Sequence, residues 1–277
     1  MNMKRNTLIL LVVVLAVAAV GVYSAYQYFT PKPVEELRVF AAASLTKPFQ
    51  ALQPQFEAKY NAKLIFNFAG SSTLSTQINQ GSPCDVFASA NAKEMTNVKN
   101  ANLLSGSSTV FAHNSLRVVV PKTNAVVSIL LDLAKPGVRV VLADKSVPAG
   151  NYALQMLTKI DATWGNSSSP LYKGVEYTGF SKKVLANVIS YETDVEQVVT
   201  KTATGTADAG IAYKSDSINR ASDVSFVEIP SDVNQIAVYP IGIINTSAHS
   251  ALAQKFIAYM MSSDGQKALA DAGFLGP

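Results

Sequence analysis

The sequence predicts an α/β protein with mostly parallel sheets arranged in two lobes. Three observations carry this. Apolar runs of strand length recur along the chain, and between them lie runs with apolar residues at every third and fourth position. Those are the periods of β and α segments, and their alternation builds parallel sheets flanked by helices. A strand-like run then closes at Pro121 and the alternation starts afresh, which divides the chain in two.

The elements follow in order. Leu37 to Ala43 (LRVFAAA) predicts a strand, and Leu45, Phe49, Leu52, Phe56 and Tyr60 then share one helical face. KLIFNFAG is a second strand, and SSTLSTQINQG is a short helix stopped by Gly81. CDVFASA is a third strand, NAKEMTNVKNANLL a helix, and Ser115 to Pro121 (SLRVVVP) a strand. In the second group ILLDLAKPG predicts a helix ending at Pro136-Gly137, and VRVVLAD a strand. Pro148 opens the helix VPAGNYALQMLTKIDATWG. VEQVVTKTATG is a further helix, and ADAGIAYKSDS contains a strand. DVSFVEIP and IAVYPIGII are late strands, and the C-terminus is helical, with Ala251, Phe256, Tyr259 and Met260 as its apolar face.

Residues 1–30 read as a signal peptide or an N-terminal membrane anchor. Lys4 and Arg5 precede the apolar run from Thr7 to Val22, the charge order of a targeting segment. No cysteine lies near that run, which speaks against a lipid anchor. Residues 31–36 read as a stiff linker. The rest of the chain is therefore expected to be extracytoplasmic, periplasmic or tethered to the outer face of the cytoplasmic membrane.

Beyond residue 30 the chain carries 21 basic and 19 acidic residues. No Lys/Arg cluster stands out, so nucleic acid is not an expected partner. The one cysteine, Cys84, cannot make an internal disulfide and reads as a buried, inert thiol. No Cys/His cluster has zinc-site spacing, and neither His113 nor His249 sits in the setting of a catalytic triad.

Two chemistries compete at Ser44. Ser44-Leu45-Thr46-Lys47 fits the S-x-x-K pattern of serine acyl enzymes, but the companion S-D-N and K-T-G motifs are missing: Ser215-Asp216-Ser217 and Lys201-Thr202-Ala203 fit neither. No pair of carboxylates stands out for glycoside hydrolysis. The other reading is anion binding. In AAASLT, FAGSSTL, VPAGNYA and ETDVEQVV a strand gives way to a helix start, where backbone N–H groups are unpaired and carry partial positive charge. Ser44 and Ser71 add hydroxyl donors, Ala149 and Val195 offer only backbone N–H, and Tyr213 in GIAYKSD adds a phenol. Taken alone, Ser44 and Ser71 fit plain helix caps equally well, and Tyr213 fits an interface tyrosine.

From Leu37 to its C-terminus the chain resembles the molybdate-binding proteins of ABC importers. The resemblance rests on VFAAASLT, FAGSSTLSTQINQGSPCDVFASA, VPAGNYA and GIAYKSDS, in that order. It implies a two-lobed periplasmic-binding-protein fold of the second type, with residues 37–119 and 231–277 in lobe 1, residues 120–230 in lobe 2, and the ligand cleft between them. It implies an oxyanion site of Ser44, Ser71, Ala149, Val195 and Tyr213, supported by Ser72 and Gly150. Molybdenum is then held only as the oxyanion, molybdate or tungstate, with no cofactor and no chemical step. The implied partner is a membrane permease, and the implied state a monomer. Ala212 stands where an octahedral-site branch of the family has glutamate, which implies the tetrahedral type; Asp194 is the one acid close by. Sulfate is the alternative ligand, and a serine acyl enzyme the alternative class.

Overall fold

The computed structural model describes residues 12–21 and 34–277. Residues 12–21 form a helix (α1) in a unit separate from Glu35–Pro277. Among the described residues no helix is long and apolar enough to cross a membrane. Two thirds of the targeting segment and half of the linker expected before residue 37 lie outside the described residues. The linker's last two residues do not belong to a linker: Glu35 and Glu36 open β1 (Glu35–Ala42), because they pair with Ala62 and Lys63.

β1 places Leu37, Val39 and Ala41 in one buried cluster and Phe40 in another, the two-residue period of an extended chain. It lies between two parallel partners, β2 (Ala62–Ala69) and β3 (Val86–Ala88), so both faces need cover. α2 (Thr46–Tyr60) covers one face, where Phe49 meets Phe256 edge-on at 5.6 Å. α3 (Ser71–Asn79) and α4 (Ala92–Asn100) cover the other through Leu74, Ile78, Met95 and Val98.

β4 (Thr109–Pro121) is longer than the sequence pattern suggests. Its first part, Thr109 to Ser115, runs antiparallel to β9 (Ile236–Ile243). Its second part runs antiparallel to β7 (Ala209–Tyr213) from Leu116 and to β8 (Val224–Glu228) from Arg117. One strand thus joins two half-sheets, and the change of partner falls between Ser115 and Leu116. At that point the Asn234 side chain accepts from the Leu116 N–H and donates to its carbonyl.

In the second half, β5 (Val140–Ala143) lies parallel to both β6 (Val188–Glu192) and β7. α5 (Pro148–Thr163), α6 (Phe180–Ala186), α7 (Val195–Ala203) and α8 (Lys214–Asn219) are the helices of this half. α9 (Ser250–Met261) and α10 (Ser263–Asp271) end the chain, and Phe256 of α9 returns to the first half. The strand order is β2-β1-β3-β9-β4-β7-β5-β6, with β8 also on β4. Parallel pairs occupy both ends, and antiparallel pairs the middle, where β4 and β9 bridge them. The helix expected at ILLDLAKPG is only a 3-10 turn, Leu130–Ala134, cut short before Pro136.

Candidate functional site

In a sheet of this kind ligands gather at the carboxyl ends of the parallel strands. Here Ser44 follows β1, Ser71 follows β2, Ala90 follows β3, Ala149 follows β5, Val195 follows β6, and Tyr213 ends β7. All six line one cavity, together with Ala42, Ala43, Gly70, Val147 and Pro148. Its free volume is about 10 Å³, about one water-sized site and far below the range of pockets for drug-sized ligands, roughly 300–1,000 Å³. Each of these lining residues is buried. None of them carries a charge.

Ser44 lies in the 3-10 turn Ala43–Leu45. Its hydroxyl makes no helix cap; it lies 2.9 Å from the Tyr239 phenol oxygen. Lys47 takes no part in this. Its side chain is exposed and its ammonium donates to the Asn219 carbonyl, so Ser44 and Lys47 form no nucleophile–base pair.

Ser71 is the first residue of α3, one place past the cap position at Gly70. Its oxygen accepts from the Ala90 N–H at 3.0 Å. Its proton is therefore free for the cavity. Gly70 is there because of a close approach: a Cβ on it would stand 2.5 Å from the Thr193 carbonyl oxygen. The start of α3 thus touches the loop before α7.

α5 begins with Pro148, which has no N–H, so Ala149 supplies the first free donor of that helix. Gly150 seats this start. A Cβ on it would meet the Asp144 and Ala143 carbonyl oxygens at 2.2 and 2.3 Å. Gly150 and Ser72 are not among the lining residues. Val195 is the first residue of α7 and keeps an N–H with no partner within the helix. Asp194 is the cap: its Oδ1 accepts from the Gln197 N–H at 3.0 Å and its Oδ2 from the Gln197 side chain at 2.7 Å. Both its oxygens are thus occupied away from the cavity.

Tyr213 is 1% exposed, and its hydroxyl has no hydrogen-bond partner among the described residues. Leaving such a group unpaired costs roughly 1–3 kcal/mol. Burial pushes its pKa well up, helped by the neighbouring Tyr239, so it stays a donor. The Tyr213 N–H donates to Asp216 Oδ2 at 2.9 Å. Asp216 is itself fully buried, and desolvation, with Glu196 adding to it, raises its carboxyl well above the ordinary range. Cys84 is buried, and desolvation pushes its thiol up to about 12, so it stays protonated.

Tyr239 escaped the sequence reading. It stands on β9, 195 positions from Ser44, and no local pattern announces such a pairing. Gly70 carried a signal: it ends the second strand just before the Ser71 helix start.

The profile of bacterial extracellular solute-binding proteins matches residues 37–275. The molybdate-binding protein ModA of Mycobacterium tuberculosis is 36% identical over 241 residues, covering 86% of this chain and 84% of its own. The ModA protein of Haemophilus influenzae is 31% identical over 250 residues, covering 86% and 89%. Among solved structures, the periplasmic molybdate-binding protein of Azotobacter vinelandii superimposes with a TM-score of 0.74 at 23% identity, covering 87% of this chain and 99% of that one. That likeness establishes a periplasmic-binding-protein fold. The chain belongs to the bacterial extracellular solute-binding proteins, in the branch that includes the ModA proteins.

Proposed function

We propose that the protein captures molybdate, and tungstate with it, as an intact tetrahedral oxyanion and hands it to the membrane permease of an ABC importer. The observation that carries this reading is the Tyr213 hydroxyl, buried and unpaired in the wall of a small uncharged cavity. A ligand that accepts hydrogen bonds relieves it. The Ser44 and Ser71 hydroxyls, the Ala149 and Val195 N–H groups and the Tyr213 phenol supply the donors. Gly150 and Ser72 support them from the helix starts. The anion's charge is met by these dipoles and needs no cationic side chain.

The donor set also selects. Molybdate is a dianion with no proton at neutral pH, so donors alone satisfy it. Hydrogen phosphate brings an O–H that such a site leaves unpaired, at a cost of roughly 1–3 kcal/mol, or about ten- to a hundredfold in affinity. Sulfate is smaller and is rejected by size. Each hydrogen bond to a charged acceptor contributes about 1.5–3 kcal/mol. The five together supply roughly 8–15 kcal/mol, a range that includes the ~12 kcal/mol of nanomolar binding.

In this reading residues 37–119 with 231–277 form one lobe and residues 120–230 the other. They close on the anion by a hinge motion in which β4 crosses between them. The protein works as a monomer outside the cytoplasmic membrane and transforms nothing. A thermal-shift screen with molybdate, tungstate, sulfate and phosphate tests it. Strong stabilisation by the first two alone is expected. A response to none, or to sulfate above the others, overturns it.

A further inference from the structure

The chain crosses between the half-sheets twice, along β4 and again along residues 229–235, which lead from β8 to β9. On β4, Ser115 faces Ile236 of β9 and Arg117 faces Glu228 of β8. Leu116 lies between them, and the Asn234 side chain takes both its backbone groups. Oδ1 accepts from the Leu116 N–H at 3.0 Å, and Nδ2 donates to the Leu116 carbonyl at 2.9 Å. The same amide also binds the second crossing. Nδ2 donates to the Ile229 carbonyl at 3.1 Å, and Oδ1 accepts from the Gln235 N–H at 2.8 Å. Two N–H groups thus face the oxygen and two carbonyls the nitrogen, so the amide has one orientation only. The four bonds use every donor and acceptor it has. They fasten the two crossings to each other at one point, between residues Leu116 and Ile229 that are both buried.

Tyr213 stands directly across from the fastened residue, paired with Leu116. It is held from the first half as well. Its ring meets that of Tyr239 edge-on at 5.9 Å, and Ser215, two residues on, accepts from the Asn114 side chain at 2.8 Å. β5 and β6 lie one and two strands beyond β7, at roughly 4.8 Å per strand, and the α5 and α7 starts follow them. A turn about the point where Asn234 holds Leu116 therefore moves Tyr213 little, whatever its axis. The same turn can carry Ala149 and Val195 several times as far.

We propose that the Asn234 amide is the pin of the hinge and a positioning residue for the site. It keeps Tyr213 in register with Ser44 and Ser71 while the lobes are apart, so that these three hydroxyls receive the anion and the α5 and α7 starts then close over it. This rests on the oxyanion capture and hinge closure proposed above and deepens them. Without the amide the two crossings slide past each other, and the Tyr213 phenol no longer returns to one place.

The test uses the full chain as wild type, Asn234→Ala, Tyr213→Phe and the double variant, each checked for folding by thermal melting. Titration calorimetry with sodium molybdate gives the affinity. Stopped-flow emission of Trp164, the one tryptophan, gives the rates, since its Nε1 donates to Asp232 Oδ2 at 2.7 Å within the second crossing. Asn234→Ala is expected to weaken molybdate binding by about three- to thirtyfold, mostly through faster release. In the Tyr213→Phe background the same substitution is expected to change the affinity by no more than about twofold, because the group it positions is gone. Asn234→Asp keeps the two accepted bonds and sets a carboxylate against the two carbonyls. It serves, with the same expectations, if Asn234→Ala fails to fold. A lower melting temperature with unchanged affinity and release rate is all that a merely structural amide would show, and it overturns the proposal. An equal loss of affinity with and without the Tyr213 hydroxyl overturns it too. Absence of molybdate binding to the wild type overturns the oxyanion reading itself, a result distinguishable from both.

Discussion

The backbone N–H of Ala90 donates to the Ser71 hydroxyl at 3.0 Å, inside the buried wall of the cavity. In the proposed reading Ser71 holds two roles at once: it satisfies the Ala90 N–H at β3's exit and presents its own proton to the ligand. Ser71→Ala is expected to lose molybdate affinity and also about 1–3 kcal/mol of stability, because the Ala90 N–H is left unpaired. Ser44→Ala is expected to weaken binding by about tenfold, roughly 1–2 kcal/mol, and to stay folded. Chemical denaturation beside calorimetry separates the two. A Ser71→Ala variant as stable as wild type would remove the structural role given to Ser71.

Tyr213→Phe is expected to split stability from binding. The ligand-free protein sheds a buried hydroxyl with no partner among the described residues, so its melting temperature holds or rises. Molybdate affinity falls by about ten- to a hundredfold, the worth of a hydrogen bond to a charged acceptor. A variant that melts lower and binds as before would contradict this account of Tyr213.

Asp216 gives a dependence on pH. Burial raises its carboxyl above the unfolded value, which lies near 3.9. The folded state thus favours the neutral form. The stability this group allows is complete below about pH 4 and is lost as pH rises through the folded value. Asp216→Asn keeps an acceptor for the Tyr213 N–H but never ionises. Its melting temperature relative to wild type is expected to rise between pH 4 and pH 8. A constant or falling difference across that range would show that Asp216 ionises freely in the fold.

Lys47→Ala is expected to leave molybdate affinity unchanged within about twofold and stability within about 0.5 kcal/mol. The side chain is exposed and bonds a carbonyl at the end of α8. A large loss of binding would return Lys47 to the site as a long-range cation.

The fold was legible wherever an element was long and buried. In α5 the buried Ala153, Met156, Leu157 and Ile160 repeat at helical spacing, and β5 is apolar throughout. α6 was not foreseen, and of β6 only its end, at the start of ETDVEQVV, was. β6 is an edge strand with Ile189 and Tyr191 exposed, and α6 is only seven residues long, so neither leaves a clear period. The first part of β4, with His113 and Asn114 among its residues, reads as polar because its partner β9 lies far along the chain. At the site, the helix starts showed as small residues after strands. That four of these starts and Tyr213 share one cavity wall was legible only through the ordered motifs, since no single serine or tyrosine distinguishes a ligand donor from a cap. Tyr239 stayed hidden because a hydrogen bond between residues 195 positions apart has no local spacing.

The contact of Gly70 with the Thr193 carbonyl also bears on time. With all lining residues buried and these two backbones in touch, a bound anion exchanges with water only when the walls part. Its dwell time then follows the frequency of that opening more than the number of its hydrogen bonds. A transporter that pries Gly70 from Thr193 would empty the receptor without having to outbid a single donor.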